Sequence, residues 1–262
     1  VTGAGRGIGR AIAIALAEAG ARVAVNDIDP RTASAVAEEI RAGDRHAIAV
    51  PCDVAELDAV EGIVARAVDE FGRLDVAVSN AAYSDREPFH VASLAGFRRT
   101  IDVTMWGPFN LLRTASRQML AQPMLEGAKE RGNVLIVGSP HAIQPIPNAM
   151  AYNMAKAAID QMARTAAIEL VGQRIRVNIL HPGWTNTPGE LKFASEEDLR
   201  RTGEMLPLGR LATPEEVARG AVFLCDPASQ YITGSTLLID GGLSLPWWAT
   251  GGSAVPDCGR SK

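Results

Sequence analysis

"VTGAGRGIGRAIAIALAEAG" (residues 1–20) is the stretch whose reading decides the fold. Glycines stand at positions 3, 5, 7 and 9, and apolar residues then recur at three- and four-residue steps through 8–19. Glycine lets the backbone turn tightly and approach a ligand with no Cβ in the way. The helix start that follows offers free N–H groups and the positive end of a dipole. The pattern predicts a strand-to-helix turn that cradles a phosphate, and the pyrophosphate of a dinucleotide is the ligand it suits. Gly3, Arg6, Gly7, Ile8 and Gly9 are the contact residues expected there. Only Val1 and Thr2 remain of the strand feeding this turn. The reading therefore expects roughly five to ten upstream residues, including an apolar strand, in the natural protein.

The rest of the chain repeats the same alternation. Apolar, β-branched runs fall at 22–26, 46–50, 74–78, 133–137, 175–180 and 236–240, with helix-like stretches at 8–19, 31–42, 56–71, 93–121, 150–171 and 214–224. Gly20, Gly43, Gly72 and Gly172 sit near the ends of helices. Alternating strands and helices give βαβ units, hence an α/β fold: a doubly wound, mostly parallel sheet of the Rossmann kind. The strands are apolar on both faces, as a sheet covered on both sides requires. One domain is expected over 1–245, with a Gly-, Ser- and Pro-rich tail at 246–262 that is expected to be irregular.

Bulk properties narrow the function. The chain has 262 residues, is 47% hydrophobic and 21% charged, and has a net charge of -4. Its pI is about 5.7, which argues against a nucleic-acid or anionic-membrane partner. Cys52, Cys225 and Cys258 are far apart, with no metal-ligand spacing, and fit reduced thiols in a cytoplasmic protein. No apolar run reaches the ~18 residues that span a bilayer, and no signal peptide is visible.

Candidate site residues gather at the carboxyl ends of strands, where ligands bind in open α/β sheets. Asp27 ends the strand at 22–26, about 20 residues after the glycines, and an acidic residue there suits ribose hydroxyls. Ile28 follows rather than a cation, and a carboxylate repels a 2′-phosphate, so NAD is expected over NADP. Asp53 and Val54 of "CDV" (52–54) and Asn80 and Ala81 of "SNAA" (79–82) end the next two strands. In "AYNMAK" (151–156), Tyr152 and Lys156 share one helix face. A nearby ammonium favours the phenolate and lowers the tyrosine pKa from about 10. The pair then suits proton exchange with an alcohol or carbonyl. His141 is a candidate for the substrate-pocket wall, and His181 reads as a structural loop residue.

The T-G-x-x-x-G-x-G spacing of residues 2–9, with Ser139 thirteen residues before Tyr152, resembles the short-chain dehydrogenase/reductase family over nearly the whole chain. The resemblance implies that Ser139 orients the substrate oxygen, Tyr152 is the acid/base and Lys156 lowers its pKa. It places Asp53 near the adenine, and Asn80 and Ala81 along the cofactor crevice. "HPGWTNTP" (181–188) resembles the nicotinamide-binding segment, so Pro182, Gly183, Thr185 and Thr187 are implied cofactor contacts and Trp184 a substrate contact. The family asparagine of the long helix is here Thr104. Pro108, four residues on, lacks the N–H that would pair with the Thr104 carbonyl, which suggests a kinked helix. Residues 188–206 are implied to cap the substrate, and the family implies a homotetramer paired through 93–121 and 150–171. "SPHAIQPIPNAMAY" (139–152) is most similar to glucose 1-dehydrogenase-like members, which points to a sugar, polyol or similar secondary alcohol. A 3-oxoacyl reductase is the alternative enzyme. A non-catalytic NAD sensor is the third reading, and it is expected to have lost Tyr152 or Lys156, both present here.

Overall fold

The computed structural model describes residues 1–247; residues 248–262, with Cys258 and most of the expected tail, lie outside the described residues. The glycine turn leads into α1 (Gly7–Glu18), followed by β1 (Val23–Val25), α2 (Pro30–Ala42), β2 (Ala47–Ala49), α3 (Leu57–Phe71) and β3 (Val76–Ser79). Then come α4 (Leu94–Ile101), a π-turn (Asp102–Trp106) and α5 (Gly107–Ala121). The second half holds β4 (Gly132–Val137), α6 (Met150–Leu170), β5 (Ile175–Pro182), α7 (Glu196–Glu204), α8 (Pro214–Cys225) and β6 (Thr236–Ile239). Each predicted strand and helix has its counterpart within a few residues.

Two differences have physical causes. The helix expected over 93–121 is broken at the π-turn, where Gly107 N–H reaches back five residues to the Asp102 carbonyl. Pro108 lacks the N–H that a regular ladder needs there, and the extra residue in the turn absorbs the mismatch. Gly20 and Gly72 take left-handed φ at helix ends, but Gly172 lies inside a 3-10 turn and Arg174 takes the left-handed position instead.

All strand pairs are parallel. They fall into two pieces, β1–β2 and β3–β4–β5–β6, with a gap between β1 and β3. Between β1 and β3 the chain supplies two residues, too few for a strand. The Val1 carbonyl accepts from Asn26 N–H (3.0 Å) and Thr2 N–H donates to the Val78 carbonyl (3.0 Å), so the pieces are stitched at their carboxyl ends. Below the stitch lies a cavity of about 300 Å³ lined by Val23, Ala24, Ile63, Phe71 and Val76. A larger cavity of about 650 Å³ opens at the amino ends of the strands, around Arg73, Asp75 and Gly132, remote from every candidate site residue.

Helices cover both faces. α1, α2 and α8 pack on one apolar cluster, while α3, α5 and α6 pack on the other. β5 runs buried along its whole length, with apolar residues at Ile175, Val177, Ile179 and Leu180. Its one long cation, Arg176, is 4% exposed. It pairs with Glu130 and donates to the carbonyls of Leu224 (2.9 Å) and Ile232 (3.2 Å). The guanidinium thereby ties β5 to the end of α8. Removing one partner of such a buried cluster leaves polar groups unsatisfied. Arg176→Leu is expected to lower unfolding free energy by about 3 kcal/mol, read from urea denaturation of the two proteins.

Candidate active site

The phosphate cradle is built from backbone. Arg6 is the extended N-cap of α1, no side chain caps the first turn, and no acidic residue stands in it. The helix start therefore keeps its N–H groups and positive dipole end for an anion. Gly3 and Gly7 have φ of +60° and +55°. A Cβ on Gly3 would lie 2.7 Å from the Ala81 Cα, and one on Gly9 would lie 2.1 Å from the Gly3 carbonyl oxygen. Asn80 Nδ2 donates to the carbonyls of Thr2 and Gly3, each at 3.0 Å. The Asn80 side chain is thus engaged in clamping the turn, and Ala81 is the surface the turn rests on.

The acidic residues face this cradle. Asp27 accepts from the N–H of Gly5 (2.9 Å) and of Asp29 (3.1 Å), which fixes its carboxylate beside the turn. Ile28 is 62% exposed. Asp53 accepts from Ala55 N–H (3.0 Å) and pairs with Arg99 of α4 at 2.7 Å. Val54 is a different case. Its side chain is buried and packs against Gly107, and its carbonyl accepts from Asn110 Nδ2 (3.1 Å), so it joins the core of the rim.

The segment after β5 arches over the cradle. Thr187 would touch a Cβ placed on Gly7 at 3.2 Å, and Ile8 packs its side chain on the core beneath. Gly183 passes so close to β6 that a Cβ would lie 2.5 Å from the Asp240 Cα. Pro182 ends β5, and buried Thr185 donates to the Gly183 carbonyl (3.0 Å). Trp184 Nε1 donates to Glu190 (3.1 Å), tying this segment to the turn that begins the capping region.

Ser139, Tyr152, Lys156 and His141 come together beyond β4. Ser139 follows that strand as an extended N-cap and accepts from His141 N–H (3.2 Å). Its side chain lies beside the Tyr152 phenol. The His141 ring stands edge-on to the Tyr152 ring at 6.4 Å. Lys156, one turn further along α6, is 3% exposed and donates to the Val137 carbonyl (2.8 Å), with its Nζ 5.5 Å from the Tyr152 ring centroid. Thr104 is fully buried in the π-turn, and its hydroxyl both accepts from Tyr83 N–H (2.9 Å) and donates to the Tyr83 carbonyl (2.8 Å). It fastens the loop after β3 and does not reach Tyr152 through any hydrogen bond seen among the described residues.

The electrostatics differ from the expectation. Burial pushes the Tyr152 phenol up, with the neighbouring Ser139 side chain opposing it. Burial likewise holds Lys156 down at about 7. The Lys156 amine is turned to the Val137 carbonyl rather than to the phenol. Sequence reading also missed Arg99, Arg86 and Glu190, which lie in irregular or amphipathic segments and carry no motif spacing.

Cradle, carboxylates and Ser–Tyr–Lys cluster share one rim. Residues 3–244 match the family described as enoyl-(acyl carrier protein) reductase. The chain belongs to the short-chain dehydrogenase/reductase family. Glucose 1-dehydrogenase 2 of Bacillus subtilis is 33% identical over 94% of this chain and 93% of its own. The cis-4-hydroxycyclohexanecarboxylate dehydrogenase of Sinomonas cyclohexanicum is 36% identical over 92% and 94% respectively. A short-chain type dehydrogenase/reductase from Mycobacterium marinum, known from its crystal structure, superposes with a TM-score of 0.85 at 32% identity, covering 94% of each chain. As a short-chain dehydrogenase/reductase, the chain is an oxidoreductase that acts on alcohols or carbonyls with NAD or NADP. The cradle fits that group: its glycines leave the room a Cβ would take, and its helix start is uncapped. No described helix is long and apolar enough to cross a membrane.

The depressed Lys156 pKa has a consequence for stability. Between about 7 and the ordinary lysine value of 10.5, the unfolded chain binds this proton and the folded chain does not. Stability from this group therefore rises with pH across that window. Lys156→Met is expected to remove that rise, which urea unfolding of both proteins without cofactor at pH 6.5, 8 and 9.5 would read.

Proposed function

We propose that the chain is an NAD-dependent dehydrogenase of a secondary alcohol, a sugar, polyol or similar, with Tyr152 as acid/base, Ser139 orienting the substrate oxygen and Lys156 setting the charge behind Tyr152. The observation that carries this reading is the convergence beyond β4 of Ser139, the Tyr152 phenol and buried Lys156, whose Nζ lies 5.5 Å from the Tyr152 ring centroid. A substrate hydroxyl inserted beside Ser139 and Tyr152 meets one donor and one group able to take its proton. The nicotinamide, when bound, supplies hydride uptake or delivery. Tyr152 accepts the hydroxyl proton as the alcohol becomes a carbonyl, and returns it in the reverse direction. Lys156 donates to a carbonyl in the present state, and a cationic lysine this close to Tyr152 favours the phenolate as it forms. His141 and Trp184 supply pocket walls around the substrate.

Asp27 supports the choice of cofactor. Its carboxylate is fixed beside the turn by two N–H groups, and a 2′-phosphate brought there meets like charge. Pro182, Gly183, Thr185 and Thr187 form the segment proposed to hold the nicotinamide side, and Asp53 the adenine side. The absorbance of the reduced cofactor, followed across a panel of sugars, polyols and cyclic alcohols, tests the whole reading. NAD should be favoured over NADP by at least about tenfold in kcat/KM, and Asp27→Ser should narrow the ratio. Tyr152→Phe should lose roughly 10²–10⁴ in kcat while still binding NADH by fluorescence. Turnover only with NADP and acyl thioesters would instead favour a 3-oxoacyl reductase.

We also propose a homotetramer paired through α4–α5 and α6. Trp106 and Phe109 at the start of α5, and Met154 and Ile168 on α6, leave large apolar surface exposed, the kind a partner covers. Sedimentation should give a mass near four chains. A monomer at micromolar concentration would overturn the pairing.

A further inference from the structure

Two segments meet across the mouth of the site. One is the loop after β3, and the other is the turn at 190–193 that follows the Trp184 segment. Lys192 donates to the Ser84 carbonyl and to Asp85, each at 3.2 Å, and lies 4.6 Å from the Tyr83 ring centroid. Tyr83 is itself held at its backbone by Thr104. This outer latch brings a second pair face to face. Arg86 and Glu190 approach to 3.6 Å, with side chains 31% and 23% exposed.

That pair is not consumed by itself. At 3.6 Å the contact is too long for a hydrogen bond. Each member is aimed by a different aromatic partner. The Arg86 guanidinium lies 4.0 Å over the Phe193 ring, and Glu190 accepts from Trp184 Nε1 at 3.1 Å. Arg86 makes no hydrogen bond among the described residues, so its fork of donors is unspent. Glu190 has one oxygen engaged by Trp184 and the other open. Both charges lie within electrostatic range of the Tyr152 phenol and of His141.

We propose that Arg86 and Glu190 are specificity-determining residues that read a neutral vicinal diol, with Arg86 donating to the oxygen of the hydroxyl beside the reacting one and Glu190 accepting that hydroxyl's proton, and that they disfavour anionic hydroxy acids. The inference rests on the dehydrogenase reading above and narrows its substrate class. A polar pair of opposite sign carries no net charge, so a neutral substrate enters without an uncompensated ion. A hydroxyl beside the reacting carbinol supplies both an acceptor and a donor. A carboxylate meets Glu190 as a like charge, and to reach Arg86 it must displace a glutamate already oriented by Trp184. The Trp184 and Phe193 rings offer apolar faces to the C–H side of the same molecule.

The test compares cis-1,2-cyclohexanediol, cyclohexanol and 4-hydroxycyclohexanecarboxylate with NAD, in the wild type, Arg86→Gln and Glu190→Gln. In the wild type, kcat/KM should be highest for the diol and lowest for the acid. Arg86→Gln should lower the diol-over-cyclohexanol ratio by about tenfold, the scale of one charge-assisted hydrogen bond. Glu190→Gln should lower that ratio too and raise the acid relative to the diol. A wild type that prefers the acid overturns the proposal, as do variants that leave both ratios unmoved. The same proteins titrated calorimetrically with the three ligands and NAD read the preference whether or not turnover occurs. Diol-selective binding without turnover would count against the dehydrogenase reading and for this one, whereas no binding of any of the three would overturn this one.

Discussion

The site depends on one close approach, that of the Gly3 backbone to the backbone of Ala81 at the end of β3. A methyl group at Gly3 would sit inside contact distance of Ala81, so the approach is available only to glycine. Thr2 and Asn80 then lock it from both sides: the Thr2 hydroxyl accepts from Asn80 N–H (3.0 Å) and Asn80 returns two hydrogen bonds to the turn. These few bonds set where α1 begins and where its positive end points. The same bonds seat Val1 and Thr2 between β1 and β3.

Charge around the rim follows from burial. Lys156 is enclosed by α6 and β4, so its ammonium is held by a single carbonyl and titrates near 7. Tyr152 is pushed the other way by the same enclosure. Each shift opposes the charged form, as desolvation requires. The phenolate–ammonium pair expected from the sequence needs charge that this state does not supply. The tyrosine and lysine are thus brought together by the helix, while their chemistry is set by what fills the space beside them.

How much of this was legible in the sequence follows from the range of each interaction. The strands were legible because burial on both faces makes continuous apolar runs. The cradle was legible because its glycines are adjacent in sequence, and the Tyr152–Lys156 relation because one helical turn separates them. Val54 turns inward against Gly107 while Asp53 does not, a difference that proximity in sequence does not reveal. Arg99 meets Asp53 across 46 positions, and Arg86 meets Glu190 across a hundred, from segments without period. The break at the π-turn was foreshadowed by Pro108, but the partner of Thr104 was not.

Thr104 shows how a departure from a family pattern can be absorbed. A hydroxyl both donates and accepts, and this one uses both functions on the single residue Tyr83. The loop after β3 is thereby fixed at its start. From Tyr83 the contacts run outward: its hydroxyl donates to Asp85 (2.9 Å), and Asp85 and the Tyr83 ring both engage Lys192 of the capping segment. A threonine in the core is connected through Tyr83, Asp85 and Lys192 to the turn that carries Glu190. Loss of the asparagine therefore leaves the mouth of the site organised. The place where the sequence looked weakest as a catalyst is, in the fold, an anchor for the segments at the mouth of the candidate site.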